Sequence, residues 1–513
     1  MTGSDDLMPP EGMSPADVGE ALAARLRVRE SEPVVRNRTF YDTFDGLLHA
    51  AGLEAVHEGG TLALYDADGP GAEAAWASPP RRVLAIELDD GPLRTALVGV
   101  VGVRALLART HVRSRSERFG VLDREGKTVV RLELEHPALV LSSAREVPLA
   151  PRLRLIAVRG YDRELRGVRK TLEGKLGFAP ARRPLGDEAV RAAGGNPAGH
   201  SSKPKLKLRR TQRADAAAVL VMRALYEVMQ ANVEGTIADV DSEFLHDFRV
   251  ALRRTRAVLR ECKAAFAPDE LAPMREELKW LQLTSGDARD LDVYVLEFES
   301  TRAMVPEAFR ADLEPLLGVL RSRRLTARRE MVRAMRSDRC VALWRDWEAF
   351  LDTAVSAPAD VRPAAGEPIG ELAADRIGKV YRRMVKMGRQ IDDAAPPEAL
   401  HELRKQGKEL RYLLELFGSQ LYPSEIVKPM IKTLKALQDV LGRHHDRHVQ
   451  AATVRALREE VSALPGGSAA LMAMGLLVER IIEDQHAAHR EFREVFAPFA
   501  SKDQRRIVRE TFG

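Results

Sequence analysis

His246-Asp-Phe-Arg-Val-Ala-Leu-Arg-Arg-Thr-Arg-Ala-Val-Leu259 returns 155 positions later as His401-Glu-Leu-Arg-Lys-Gln-Gly-Lys-Glu-Leu-Arg-Tyr-Leu-Leu414. A second block follows each copy at an offset of 156: Leu281-Gln282, Gly286 and Asp290 match Leu437-Gln438, Gly442 and Asp446. Two ordered matches at nearly one offset indicate an internal duplication, and units of this length are too long for a solenoid repeat. At about 100° per residue from His246, Arg249, Arg253, Arg256 and Arg260 fall near 300°, 340°, 280° and 320°. Phe248, Leu252, Val258, Leu259, Cys262 and Phe266 gather at about 120–240° on the same wheel. Each copy is therefore an amphipathic helix with a core face and an adjoining basic stripe, repeated as Arg404, Lys408 and Arg411 after His401.

The surrounding text agrees. From about Thr211 onward the chain is rich in Ala, Leu, Arg and Glu at helical period, and Pro/Gly punctuation at Ser356–Gly370 divides it into two similar lengths. The expected organisation is two helical bundles, 211–355 and 371–500, within one domain over 211–500. Upstream, short β-branched segments alternate with turn signals between Arg25 and Arg159: Thr61–Tyr65, Val83–Leu88, His111–Arg115, Gly120–Leu122, Val129–Glu135 and Leu153–Val158. Asp123-Arg-Glu-Gly126 is a plausible hairpin connection. The N-terminal domain, 21–180, thus reads as α+β with an antiparallel sheet, preceded by a disordered leader at 1–20. A linker at 181–210 ends in the basic string Lys203-Pro-Lys-Leu-Lys-Leu-Arg-Arg210.

Charge narrows the function. The chain has 80 Lys+Arg against 75 Asp+Glu, and because residues 1–200 hold equal numbers of each, the whole excess of +5 lies in the helical part. Between Phe248 and Arg260 stand five arginines and no acid. A solvated stripe normally interleaves acids, since like charges at i,i+4 cost about 0.2–0.5 kcal/mol per pair. Two further basic stripes repeat the spacing, Lys379, Arg382, Lys386 and Arg389 on one predicted helix and Arg321, Arg324 and Arg328 on another. Several such stripes point to a shared anion, for which arginine forks suit phosphate oxygens. Spread over ten to fourteen positions they cover roughly 15–21 Å, the footprint of a linear polyanion. No phosphate-binding Gly-x-x-x-x-Gly-Lys-Ser/Thr loop occurs.

Other classes fit less well. Aromatic residues are 5% of the chain and none interleaves the stripes, so a stacking platform for nucleic acid is lacking. No apolar run approaches the roughly 20 residues of a membrane span, and no basic segment followed by an apolar block opens the chain. The expectation is a cytoplasmic protein without membrane attachment. The two cysteines, Cys262 and Cys340, lack Cys/His ligand spacing. His444 and His448 lie one turn apart, a permissible metal pair, but no third ligand is evident and no metal site is assigned. His246 and His401 have two open readings: donors to a phosphate that strengthen as pH falls, or partners in hydrogen bonds across the bundle seam. Asp290 and Asp446 read as holding arginines or capping helices.

The paired blocks, His246-Asp-x-Arg-Val-x-Leu-Arg-Arg-x-Arg with Gly286-x-x-Arg289-Asp290, and His401-Glu-Leu-Arg-x-x-x-Lys-x-Leu-Arg-Tyr412 with Leu437-Gln438-Asp439-x-Leu441-Gly442-x-x-x-Asp446, closely resemble the CHAD family, the histidine α-helical domain. The resemblance covers about 211–500. It implies two four-helix bundles related by a pseudo-twofold axis, a basic central pore and binding of inorganic polyphosphate. It assigns His246, Arg249, Arg253, Arg256, His401, Arg404, Lys408 and Arg411 to the pore. Arg254 and Arg260 join them by periodicity alone. Association with polyphosphate granules would extend the same reading.

Arg38-Thr-Phe-Tyr-Asp42-Thr43-Phe-Asp45-Gly-Leu-Leu-His-Ala-Ala-Gly52-Leu53 resembles a segment of the CYTH family, the triphosphate tunnel enzymes, which is often fused to CHAD domains. This resemblance implies a tunnel of antiparallel strands with basic residues for a triphosphate and glutamates for Mg or Mn. The family's Glu-x-Glu-x-Lys strand is reduced here to Glu30-Ser-Glu32-Pro-Val34, which lacks the lysine, and the first 100 residues are net acidic. Arg113, Arg115, Arg118 and Arg131 with Glu133 and Glu135 alternate as an outward sheet face does, a tunnel lining being the alternative. The resulting expectation is a non-enzymatic polyphosphate-binding protein without a cofactor. The alternatives are a metal-dependent triphosphatase or polyphosphatase acting through the N-terminal domain, and nucleic-acid binding through the stripes. Oligomeric state is not legible in the sequence.

Overall fold

A computed structural model describes residues 6–66, 69–204, 206–356 and 361–513. The chain divides into two compact units, Met1–Ser201 and Ser202–Gly513.

The first unit is built on eleven strands: β1 (Leu7–Met8), β2 (Val28–Thr43), β3 (Glu54–Glu58), β4 (Thr61–Asp66), β5 (Gly69–Ala75), β6 (Arg82–Leu84), β7 (Ala105–Leu122), β8 (Thr128–Ser142), β9 (Arg145–Pro148), β10 (Arg152–Ala157) and β11 (Ala179–Pro180). They form one antiparallel sheet in the order β11-β1-β10-β8-β7-β2-β3-β4-β5, with β6 on β7 and β9 on β8. Five helices accompany it: α1 (Pro15–Arg25), α2 (Leu47–Ala51), α3 (Pro92–Val101), α4 (Asp162–Lys175) and α5 (Leu185–Ala192). One sheet face carries Phe119, Leu132, Leu134, Leu153 and Leu155, which pack with Val18 and Leu22 of α1 and Val168 and Leu172 of α4. The β7–β8 turn is the expected hairpin: Asp123 N–H donates to Lys127 O at 3.0 Å, and Gly126 takes φ 82°.

Several expectations change in detail. His111–Arg115 and Gly120–Leu122 belong to one 18-residue strand, β7. The leader, of which residues 1–5 lie outside the described residues, contains β1 and part of α1, with Ser14 and Asp17 forming a capping box. The linker interval carries α5, and the division between units falls at its Ser201/Ser202 point; Lys205 of the basic string is outside the described residues. Glu133 and Glu135 are buried rather than outward, while Arg113, Arg115 and Arg131 are exposed.

The second unit is helical, as expected: α6 (Ala214–Ala238), α7 (Ser242–Glu261), α8 (Pro268–Thr284), α9 (Gly286–Leu296), α10 (Phe298–Arg302), α11 (Glu314–Met335), α12 (Asp338–Thr353), α13 (Ile369–Gly388), α14 (Pro397–Leu413), α15 (Ser419–Leu421), α16 (Ser424–Ala456), α17 (Arg458–Ser462), α18 (Gly467–Phe499) and α19 (Lys502–Phe512). Of the 356–370 punctuation, 357–360 lie outside the described residues. Both copies of the repeated motif fall on helices, α7 and α14. A single buried cluster joins Leu245, Phe248, Leu252 and Leu259 of α7 to Leu403, Leu410 and Leu413 of α14, so the two halves share one core. A second cluster joins Leu316 and Leu320 of α11 to Val454 of α16 and Leu477 of α18.

Candidate functional site

The phase of α7 is set by its start. Asp241 caps the helix, its side chain accepting from Glu243 N–H at 2.8 Å and Phe244 N–H at 3.3 Å. Phe248 and Leu252 are thereby turned into the core, and Arg249, Arg253 and Arg256 take the adjoining arc. In α14, Pro397 occupies the first turn, where a missing N–H costs nothing, and Leu403 and Leu410 are buried while Arg404, Lys408 and Arg411 sit on the partly exposed arc.

The two copies anchor their arginines by parallel means. Arg249 is buried, and its Nη1 donates to Gln282 O and to Ser285 Oγ, both at 2.7 Å. The break between α8 and α9 at Ser285 leaves the Gln282 carbonyl available, as helix-terminal carbonyls are. In the second half α16 runs unbroken through the matching position, and Arg404 Nη2 instead meets Asp446 Oδ1 at 3.1 Å. Arg256 Nη1 donates to Gln282 Oε1, and Arg411 Nη1 to Gln438 Oε1 at 3.2 Å. A Cβ on Gly286 would lie 3.9 Å from Arg249 Nη1 and one on Gly442 would lie 4.0 Å from Arg404 Nε, so each guanidinium rests against bare backbone at the matched glycine.

Arg253 and Lys408, equivalent under the 155-residue offset, have no carboxylate within ion-pair distance among the described residues. They lie within Coulombic reach of one another, and Lys408 is also within reach of Arg404, Arg249 and Asp446. Burial, then Arg404 and Arg253, depress the Lys408 ammonium to about 8. Burial, then Arg253, lowers Arg249 to about 10. Arg249, Arg253, Arg404 and Lys408 are thus one cationic cluster drawn from both halves. His246 and His401 stand partly exposed one turn before it on their helices. His401 Nδ1 lies 2.9 Å from Nδ1 of His445.

The other predicted cations lie elsewhere. Arg254 Nη2 pairs with Glu415 Oε2 at 2.6 Å, and Arg260 pairs with Glu261 at 2.7 Å and Glu409 at 3.0 Å. Glu415 also accepts from Arg411 Nε at 2.6 Å and belongs to a single π-helical turn, Leu414–Gly418. Arg324 bonds Asp292 at 2.6 Å and Asp239 at 2.8 Å, Arg328 bonds Asp239 at 3.0 Å, and exposed Arg321 lies 3.8 Å from Glu314. Lys379, Arg382, Lys386 and Arg389 form an exposed row on α13, with Lys379 on Asp375 at 2.8 Å. A Cβ on Gly513, after α19, would lie 3.2 Å from Arg382 Nη1, so that guanidinium lies beside the end of α19. Among the described residues no group of three His, Cys, Asp or Glu side chains could hold a metal ion, which includes the His444/His448 pair. Gln282, Gln438, Ser285 and His445 were not selected from the sequence. The two glutamines were visible only as repeat matches, and His445 was hidden within the run His444-His-Asp-Arg-His448.

In the first unit, the sheet face opposite the apolar one carries a buried ion-pair network. Arg36 meets Glu133 at 2.9 Å and Glu58 at 3.5 Å, Arg38 pairs with Glu135, and Arg118 lies 3.7 Å from Glu133. Next to it Arg152 meets Glu188 at 2.6 Å and Arg154 meets Asp6 at 3.1 Å.

Comparison with known proteins finds matches for the helical unit. Residues 220–455, within the second unit, match the family model described as the CHAD domain. The uncharacterized proteins MT2285 and Rv2226, from two strains of Mycobacterium tuberculosis (CDC 1551 / Oshkosh and ATCC 25618 / H37Rv), are each 29% identical over 268 residues. Those alignments cover 50% of this chain and 50% of each relative, so the match spans about half the length of the curated relatives. The crystal structure of the CHAD domain from the plant Ricinus communis aligns at 23% identity and a TM-score of 0.49, over 58% of this chain and 96% of that one. PptA from Streptomyces chartreusis aligns at 20% identity and 0.43, over 55% and 99%. No helix among the described residues is long and apolar enough to cross a membrane.

Proposed function

We propose that the helical unit binds inorganic polyphosphate, with Arg249, Arg253, Arg404 and Lys408 at the centre of the site and His246, Arg256, His401 and Arg411 flanking it. CHAD domains are associated with polyphosphate binding in general. The observation that carries the reading for this chain is the Arg253–Lys408 pair: two like charges brought together from the two halves, without an ion-pair partner for either among the described residues. Such a cluster opposes folding unless a negative ligand compensates it. The set of pore residues narrows accordingly. Arg254, Arg260, Arg324 and Arg328 are already held by carboxylates, and Arg321 and the α13 row are surface groups that could at most extend a long ligand's path.

The CYTH-like domain is proposed to be non-catalytic. Metal-assisted hydrolysis needs carboxylates available to an ion. Glu133 and Glu135 are instead committed to Arg36, Arg38 and Arg118. A cytoplasmic location and association with polyphosphate granules belong to the same proposal.

The test is calorimetric titration of the full chain with long-chain polyphosphate at several salt concentrations, comparing the natural protein with R253A/K408A. Loss of two charge-assisted contacts, each worth about 1.5–3 kcal/mol, should weaken binding by roughly 100-fold or more. Log K against log[salt] should have a slope of about −0.7 per phosphate neutralised, so three or four contacts give about −2 to −3. Unliganded R253A/K408A should melt close to the natural chain, the lost repulsion offsetting the lost stem packing and the attraction of Lys408 to Asp446. Undiminished binding by that variant, or binding indifferent to salt, would sink the assignment. Phosphate release in Mg or Mn that is lost on E133Q would replace it with the hydrolase reading.

A further inference from the structure

The 156-residue offset that pairs Gly286 with Gly442 and Asp290 with Asp446 also sets Arg289 opposite His445. The two share one feature of their surroundings, an equivalent arginine close by. Arg289 lies within Coulombic reach of Arg249, donates to Ser242 O at 3.0 Å and lies 3.6 Å from Glu243 Oε1. His445 lies within reach of Arg404, the equivalent of Arg249, and its Nδ1 is 2.9 Å from that of His401, with ring centroids 4.2 Å apart. At that separation one Nδ1 donates and the other accepts, which excludes protonation of both rings at once; with both rings neutral, one keeps a proton on Nε2 and the other keeps an Nε2 lone pair free to take one.

Resting on the polyphosphate reading above, we propose that His445 is a further anion-binding residue and that the His401–His445 pair takes up a proton from solvent, on its free Nε2, when the polyanion binds. The second half of the site then acquires a positive charge at the position that matches Arg289. The resting neutrality has a visible cause. On α14 the pair faces Arg404, Lys405 and Lys408, with Glu402 as the opposing charge, and on α16 it faces His448. Asp446 is held by Arg404, Arg249 and Arg253 of α7 approach through Lys408, and Asp290 of α9 lies near Asp446. His486 and His489 of α18 face His444 instead. Burial, then Arg404, His401 and Lys408, push His445 down to about 4, and burial, then Lys405, lowers His401. A phosphate chain lying on Arg404 and Lys408 cancels the repulsion and raises both imidazoles, so affinity rises as pH falls from about 7 toward 5. Lys408, at about 8, is already charged there and changes protonation only in the alkaline range.

The experiment follows binding of long-chain polyphosphate to the full chain between pH 7.5 and 5.5, by calorimetry in two buffers of different ionisation enthalpy, for the natural protein, H445R and H401Q. H445R installs the residue of the pseudo-symmetric position and is expected to bind several-fold tighter at pH 7.5, with the gain gone by pH 5.5. The natural protein should gain up to about 10-fold in affinity per pH unit, the limit for one linked proton, over and above H445R. H401Q should lose most of that difference. The ligand's own titration is common to all three proteins and cancels in the comparison. Equal pH slopes for the natural protein and H445R, with binding intact, would overturn the proton linkage and leave the cationic site standing. Absence of binding at every pH would overturn both.

Discussion

The seam between the two halves gives a prediction whose size can be worked from geometry. Arg254 of α7 meets Glu415 beyond α14, and Arg260 of α7 meets Glu409 of α14. Position 254 corresponds to 409 and position 260 to 415, so these are one pseudo-twofold contact made twice, with both cations on α7 and the acids on α14 and the π-helical turn that follows it. The Arg254 and Glu415 side chains keep only 12% and 20% of their exposure, so the pair is mostly desolvated. Reversing Arg254 to Glu sets a carboxylate against Glu415 and forfeits a charge-assisted bond, at a cost of about 2–4 kcal/mol. In a folding unit of this size that lowers the melting temperature by roughly 4–10 °C. The reciprocal double reversal, R254E/E415R, restores opposite charges across the same seam, though Arg411 loses its acceptor on Glu415. It should recover at least about 1 kcal/mol of coupling in a double-mutant cycle. Thermal melting of the four proteins measures this. A double variant as unstable as the sum of the singles would mean that the contact carries no coupling and that shared apolar core alone joins the halves.

Three further outcomes are expected. Glu409 is pushed up to about 7 by burial and by its hydrogen bond to Glu261, which needs one carboxyl protonated; stability from that pair is present at acid pH and lost as pH rises through about 7, so E409Q should melt higher than the natural chain at pH 8.5 and about equally at pH 5. His444 is held down to about 4 by burial and by His489, His448 and His486; its neutral form stabilises the fold above pH 6.5, and that contribution falls by up to about 1.4 kcal/mol per pH unit toward 4, a dependence that H444L should flatten in melting curves. A Cβ at Gly388 would lie 2.2 Å from the Phe496 ring, so G388A should cost about 1–3 kcal/mol by denaturant titration, and no loss would mean that the α13–α18 contact relaxes freely.

What the sequence disclosed depended on whether local periodicity and tertiary role coincided. They coincide in α7 and α14, where 3.6-residue spacing separates Phe248 and Leu403 from Arg249 and Arg404. They part in the sheet. β2 is absent from the strands read by β-branched spacing, since Glu30-Ser-Glu-Pro33 lacks that pattern, and only the resemblance to Glu-x-Glu-x-Lys marks its start. The structure accommodates the proline at a register shift between Ser31 and Val34, the kind of irregularity where a residue without an N–H is tolerated. Glu133 and Glu135 looked solvated because their partners, Arg36 and Arg38, lie about a hundred residues upstream, and no spacing rule couples residues that meet only through strand pairing. Ser285 is a similar case: its part in seating Arg249 depends on a helix break that its own residue type does not announce.

The basic stripes show a criterion that was present in the sequence and is sharper than periodicity. Angle alone placed Arg249, Arg253, Arg256 and Arg260 together and added Arg254, yet the structure divides them between a cationic cluster and an ion-paired seam. Comparing the halves position by position makes the same division. His246/His401, Arg249/Arg404, Arg253/Lys408 and Arg256/Arg411 keep their character in both copies, whereas Arg254/Glu409 and Arg260/Glu415 reverse sign. The physics behind this is general for a duplicated domain. A linear anion running along the pseudo-twofold axis meets both halves alike and favours the same charge at both equivalent positions. Two halves that must hold each other place equivalent positions in opposition, where equal charges repel and opposite charges attract. Under the polyphosphate proposal, retained sign marks positions that would face the ligand and reversed sign marks the contact between the halves; Arg289/His445, a fixed cation matched by a titratable one, keeps its sign only when His445 is protonated.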